Sequence, residues 1–422
     1  MTQDRYLGCG TRFVFLSRTL MEKTYHLLPK IWFALALVLT TATQLRWNNL
    51  PMGPGELMLV IWLMSVGFHI LKQGRFPLSV SFKLLIIFWG LGLVSLCAGW
   101  LVGLSQGVFD AAPALHNLLA YLFVSFVALF GAIHWRNDEI KQIGEMVLIF
   151  SIGGLIPLLI YAQYSNKLYM LSLWLGKESR FLGWSRDPNQ IAILVGPFPF
   201  LALYYLKKHS SALGKVLFLL LFTCSIVLGL STDSDSLKVA WMVSVVIYSI
   251  LVLLLCGKVT YRKAAVVSGI VLLCYFAGVF IFGSEVVSWI ENIYYKQDQG
   301  SVRLALWVNG LQAASHSPLV GLGPGAFSGV QEAFAGMECH NTFIDWMTNT
   351  GVIGLLLLIF LLSWTFIKAL SRSNDPEAVA VLTTVITVSL FLYVIRHPIW
   401  WLYIIWVISA MSSRKECHVH IQ

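Results

Sequence analysis

Charge is what this chain has least of: 12% of its 422 residues are Asp, Glu, Lys or Arg, against 58% hydrophobic. A soluble globule of that length would lack the polar surface to stay in water, so composition excludes it and leaves an integral membrane protein. Paired cysteines are missing as well. Cys9, Cys97, Cys224, Cys256, Cys274, Cys339 and Cys417 are scattered, mostly through apolar runs and with no C-x-x-C spacing, which argues against a zinc site and a disulfide framework. No Gly-Lys-Ser or Gly-Lys-Thr follows the glycine-rich turn at 321–325, so that turn is neither a P-loop nor a dinucleotide fingerprint. No polar block is long enough to form a separate domain. No signal-peptide cleavage pattern follows the basic N-terminal tail.

What the chain does have is a succession of apolar stretches of bilayer-crossing length, with a mean hydropathy of +0.76. The pattern predicts an all-α polytopic membrane protein of about twelve helices, at 29–46, 56–72, 80–104, 113–134, 144–163, 188–206, 213–231, 237–256, 263–283, 341–367, 377–395 and 398–413. Its organisation is a tail at 1–28, nine helices within 29–283, a loop at 284–340 with a short interfacial helix, three helices within 341–413, and a tail at 414–422. Pro157, Pro197 and Pro199 are expected to kink their helices.

Positive residues resist translocation, and this sets the orientation. With both termini in the cytoplasm, only Arg46, Lys167, Lys177, Arg180, Arg186, Lys238, Lys296, Arg303 and Arg396 of the 29 Lys and Arg fall outside. The net charge of +9 is then an insertion signal and requires no nucleic-acid partner.

The external cations oppose that bias, which makes them informative. Arg180, Arg186, Lys238, Arg303 and Arg396 lie near predicted helix ends or on the interfacial helix, and guanidinium forks match phosphate oxygens. Singly, each can snorkel to headgroups or pair with an acid; as a set they point to a phosphate-bearing lipid. His340 precedes the apolar run 352–364 at the same level, where a neutral imidazole can accept a proton from a sugar hydroxyl. Glu338 or Asp345 is expected to orient it, and His397, beside Arg396, is the rival base ranked below it. Asn341 joins the candidate substrate-binding residues. Asp233 and Asp235 read as a solvated turn before the helix at 237, with a divalent-cation site as the alternative. Asp187 followed by Pro188 reads as a helix N-cap with proline at the first helical position.

Three segments together resemble the O-antigen ligase and O-antigen polymerase family of bacterial envelope glycosyltransferases, over about 150–410. They are Arg186-Asp187-Pro188-Asn189-Gln190-Ile191-Ala192; Arg303-Leu304-Ala305-Leu306-Trp307 through Ser317-Pro318-Leu319-Val320-Gly321-Leu322-Gly323-Pro324-Gly325; and His340-Asn341-Thr342-Phe343 with Gly351-Val352-Ile353-Gly354-Leu355. The resemblance implies a glycan moved from undecaprenyl pyrophosphate to an acceptor glycan or lipid A-core, on the periplasmic side of the inner membrane, without metal or cofactor. It assigns the pyrophosphate to Arg180 or Arg186 together with Arg303, and the proton of the attacking hydroxyl to His340. The loop that often carries a further arginine in this family here reads Ser-Thr-Asp-Ser-Asp-Ser-Leu-Lys, offering acids and only Lys238. Ligase-type transfer is placed ahead of repeat-unit polymerisation. A transporter or lipid flippase is the alternative of another class, and it would need ionisable groups at mid-helix, where this chain has nearly none.

Overall fold

The computed structural model describes residues 27–47, 52–73, 79–107, 111–175, 180–255, 299–326, 337–372 and 375–412. In chain order the helices are α1 (Leu27–Leu39), α2 (Pro54–Gln73), α3 (Val80–Ser105), α4 (Ala111–His134), α5 (Asn137–Ala162), α6 (Pro188–Val195), α7 (Phe198–Lys208), α8 (Ala212–Ser231), α9 (Asp235–Leu255), α10 (Gln299–His316), α11 (Thr342–Arg372), α12 (Pro376–Ser389) and α13 (Pro398–Ser412). Between α5 and α6 lie two small antiparallel hairpins, pairing Lys167 with Ser172 and Trp174 with Phe181.

The protein is an all-α polytopic membrane protein. Among the described residues, eight segments are long and apolar enough to cross a membrane: α2, α3, α4, α5, the pair α6 and α7, α8, α9 and α11. Helices stand on every predicted span except 263–283, which lies outside the described residues. Two predicted spans run short. Helix α1 stops at Leu39, where Thr40 and Thr41 donate their hydroxyls to the carbonyls of Leu37 and Val38, a local bonding that competes with helix continuation. Helix α12 stops at Ser389, and 390–397 forms a turn instead of a last helical stretch.

Helix α13 is buried from Pro398 to Met411 on all sides, which is why its sequence is apolar without periodicity. It is the axis of the core. Trp401 packs on Trp89 of α3 with ring centroids 4.9 Å apart, and Phe88 stacks on Trp346 of α11 at 5.6 Å.

Two helices are broken, and in each case the freed backbone groups find partners. At the Gly196-Pro197 break between α6 and α7, the Leu194 carbonyl accepts from the Tyr403 hydroxyl and the Gly196 carbonyl from the Trp241 indole, at 2.5 and 2.7 Å. In α11, Gly351 leaves the helix at φ 67°. The break exposes the carbonyls of Thr348 and Asn349 and the amides of Val352 and Ile353. The 318–323 segment closes all four: Leu322 and Gly323 donate to Thr348 and Asn349 at 2.8 and 3.0 Å, while Val352 and Ile353 donate to Pro318 and Leu319 at 2.8 and 3.4 Å.

This docking brings backbone against backbone. Gly323, at φ 91°, lies against the main chain of Gly99 and Trp100 on α3, where a side chain would collide with atoms that cannot move aside. Gly323→Ala is therefore expected to destabilise the protein by about 2 kcal/mol or more, read as a lowered thermal unfolding temperature in detergent.

Candidate functional site

At one end of the bundle the α5–α6 connection, the α8–α9 turn, the start of α10, the residues before α11 and the 390–397 turn meet. Beside them is a cavity of about 420 Å³ lined by Asn189 at the start of α6, by Val302, Arg303 and Leu306 of α10, by Met337, Glu338 and His340 before α11, and by Leu392 of the turn. Arg303 reaches it from α10, whose other side exposes Leu304, Val308 and Leu311. Helix α10 packs along α11, with Leu306, Gly310, Ala313 and Ala314 buried. Gly310 lies so close against the Cys339 sulfur that a side chain there would displace it.

His340 has φ 54°, a left-handed conformation rare for a residue with a side chain. Partial burial, and then the Arg303 guanidinium, hold its imidazole below the usual range, with Asp187 opposing them. The ring is thus biased to its neutral, proton-accepting form. Asp187 itself caps α6, accepting from the Asn189 amide at 2.9 Å with Pro188 at the first helical position, as the sequence predicts.

The other candidates are placed as follows. Arg180 sits behind Asn189: its Nε donates to the Thr232 carbonyl at 3.1 Å and a terminal nitrogen to Asn189 Oδ1 at 3.4 Å. Arg186 is exposed and is not among the lining residues; its backbone amide donates to the Thr43 hydroxyl at 2.9 Å. Lys238 is paired with both Asp233 and Asp235, the first at 2.5 Å and the second at 3.4 Å, so the acidic pair faces an ammonium group. Arg396 donates to Glu338 and to Asn117 and stacks over the Tyr393 ring at 5.1 Å. Its guanidinium thus tethers a cavity-wall carboxylate. Asn341 is buried, and its side-chain oxygen accepts from the amides of Phe343 and Ile344 at 3.0 and 3.2 Å, capping α11.

Neither expected orienting acid touches the imidazole. Glu338 is held by Arg396, and Asp345 grips the backbone on both sides of His340. His397 is outside the cavity lining; burial, helped by Arg396 and Arg46, pushes it down to about 3, so it stays neutral. Sequence reading missed Asn189 as a lining residue although it lies inside the quoted 186–192 segment, because its role at the helix start hid a second contact made across the fold.

The segment that carries Arg303 and His340 also has a match outside this protein. Residues 238–359 match the O-antigen ligase family. The matched segment runs from α9 through α10 into α11, and so contains three of the four polar residues that line the cavity, Arg303, Glu338 and His340; the fourth, Asn189, is on α6. A 138-residue stretch is 33% identical to exopolysaccharide production protein ExoQ of Rhizobium meliloti (strain 1021), covering 29% of this chain and 30% of that protein. The chain therefore matches less than a third of that relative's length. The apolar helices make the chain a multi-pass membrane protein, and over residues 238–359 it is similar to the O-antigen ligase family.

Proposed function

We propose that the protein is a glycosyltransferase that moves a glycan from undecaprenyl pyrophosphate to an acceptor hydroxyl at the periplasmic face of the inner membrane. The observation that carries this reading is one cavity holding a cation without an acidic partner among the described residues, Arg303, beside an imidazole biased to its neutral form, His340. The acceptor oxygen attacks the anomeric carbon of the lipid-linked sugar while the bond from that carbon to the phosphate oxygen breaks. The electron pair leaves with the lipid pyrophosphate, whose growing charge Arg303 neutralises. The hydroxyl proton passes to His340. Arg180 supports the site through Asn189, and the exposed Arg186 is available to the incoming headgroup.

Transfer to lipid A-core is the ligase form of this chemistry. The match to an exopolysaccharide production protein favours a second form, in which the acceptor is another repeat unit. Purified protein in proteoliposomes, supplied with an undecaprenyl-pyrophosphate oligosaccharide and both acceptors, is expected to yield a product on one of them, separated by gel and mass. Release of no glycan to either acceptor overturns the proposal.

A further inference from the structure

His340 is one of three residues other than glycine with positive φ among the described residues, and neither neighbour explains how that conformation is kept. The explanation lies five residues on, at the fully buried side chain of Asp345. Asp345 Oδ1 accepts from the Cys339 amide at 2.9 Å and Oδ2 from the Asn341 amide at 3.3 Å, so one side chain holds the amides on both sides of His340. Asp345 is itself anchored. Its carbonyl accepts from the Thr348 hydroxyl at 2.8 Å and from the Asn349 side-chain amide at 2.5 Å, and Asn349 Oδ1 accepts from the Gly325 amide at 3.1 Å. The grip thus leads down into the closed break at Gly351.

A second tether acts from the other side. Thr342 donates to the Leu392 carbonyl at 2.5 Å and accepts from the Val394 amide at 3.1 Å, while Glu338 is tied to Arg396, so the 390–397 turn holds the chain just before and just after His340. These outer ties fix the loop as a whole. Asp345 instead holds the amides of both residues that flank His340: that of Asn341 belongs to the peptide that sets ψ of His340, and that of Cys339 lies one peptide before the one that sets φ.

We propose that Asp345 is a positioning residue: by gripping the Cys339 and Asn341 amides it holds His340 in the left-handed turn that aims the imidazole into the cavity beside Arg303. This rests on the reading of His340 as the proton acceptor. Displacement of a reacting group by about 1 Å can cost about 100-fold in rate, so such a grip has a measurable consequence.

The test uses full-length Asp345→Asn in proteoliposomes. The amide keeps one acceptor oxygen and turns an N–H donor toward the other backbone N–H. Expected are a kcat lower by about 10- to 100-fold, a KM for the lipid-linked donor within about twofold because Arg303 is untouched, and an acidic limb of the pH profile displaced upward, because an imidazole that swings out of the cavity escapes part of the burial and of the Arg303 repulsion that hold it down. An independent readout needs no activity: carbethoxylation of His340 by diethyl pyrocarbonate, followed by mass spectrometry, should show the same upward displacement of its pH midpoint. Should Asp345→Asn not accumulate in the membrane, Asp345→Glu, with both acceptors displaced by one methylene, is measured in the same way. Wild-type kcat and an unmoved His340 midpoint overturn the proposal, as does a loss spread equally over kcat and KM with a lowered unfolding temperature. Full activity of His340→Ala overturns the functional reading instead, while an inactive His340→Ala beside a fully active Asp345→Asn overturns the Asp345 assignment alone.

Discussion

His340→Ala is expected to lower glycan transfer by about 10²- to 10⁴-fold while the protein accumulates in the membrane at wild-type level, since positioned general bases contribute on that scale. His340 is only partly covered and lines a cavity rather than the packed core, so its removal leaves no closed void. In the wild type, the pH profile carries the same assignment. The base works in its neutral form, and burial together with Arg303 favours that form, so the midpoint of the acidic limb falls below the ordinary value of 6.5. Rate is then constant above that region and falls as pH drops through the depressed pKa. A limb centred at or above 6.5, or retained activity in His340→Ala, would remove His340 from the chemistry.

Arg303→Ala carries the second large effect, a loss of about 10²- to 10³-fold in kcat/KM, because negative charge develops on the departing pyrophosphate in a site partly closed to water. Arg303→Lys is expected to lie between, since an ammonium keeps the charge but not the forked pair of donors. The same substitution to alanine makes a prediction of opposite sign for the histidine: with one repelling cation gone, the acidic limb should move to higher pH. Transfer assays across pH on the single variants measure both effects. An Arg303→Ala enzyme with wild-type kcat/KM would show that the cavity does not receive the phosphate.

The candidate cations differ in how far their roles could be read in advance. Lys238 and Arg396 looked equivalent to Arg303 in sequence, all three being external and near helix ends. Their partners decide the difference. Asp233 and Asp235 stand beside Lys238 in the same turn and were legible as a rival pairing, whereas Glu338 and Asn117, which engage Arg396, are separated from it by 58 and 279 residues. Asp345 shows the same limit. Named in sequence as an acid to orient the imidazole, Asp345 acts otherwise: His340 precedes the helix, and the carboxyl group takes the amides of its two neighbours, not its ring.

The glycines at 321, 323, 325 and 351 were recognisable as a sequence pattern without a mechanism. Two segments some 25 residues apart in the chain exchange hydrogen bonds across a broken helix, and their meeting explains why no side chain is tolerated at Gly321 or Gly351, while Gly323 is closed by the backbone of α3.

By itself the sequence determined the membrane, the helical class, the places where most helices begin and end, and the short stretches from which the site is drawn. These depend on local properties: the free energy of putting each residue in lipid, and the caps and breaks written in neighbouring positions. The tertiary structure alone decided which cations share a cavity with His340, which are consumed in pairs, and what holds the histidine in place. Those outcomes depend on distances between groups far apart in the chain, and electrostatic and hydrogen-bond energies fall off too steeply with distance for composition or spacing to report them.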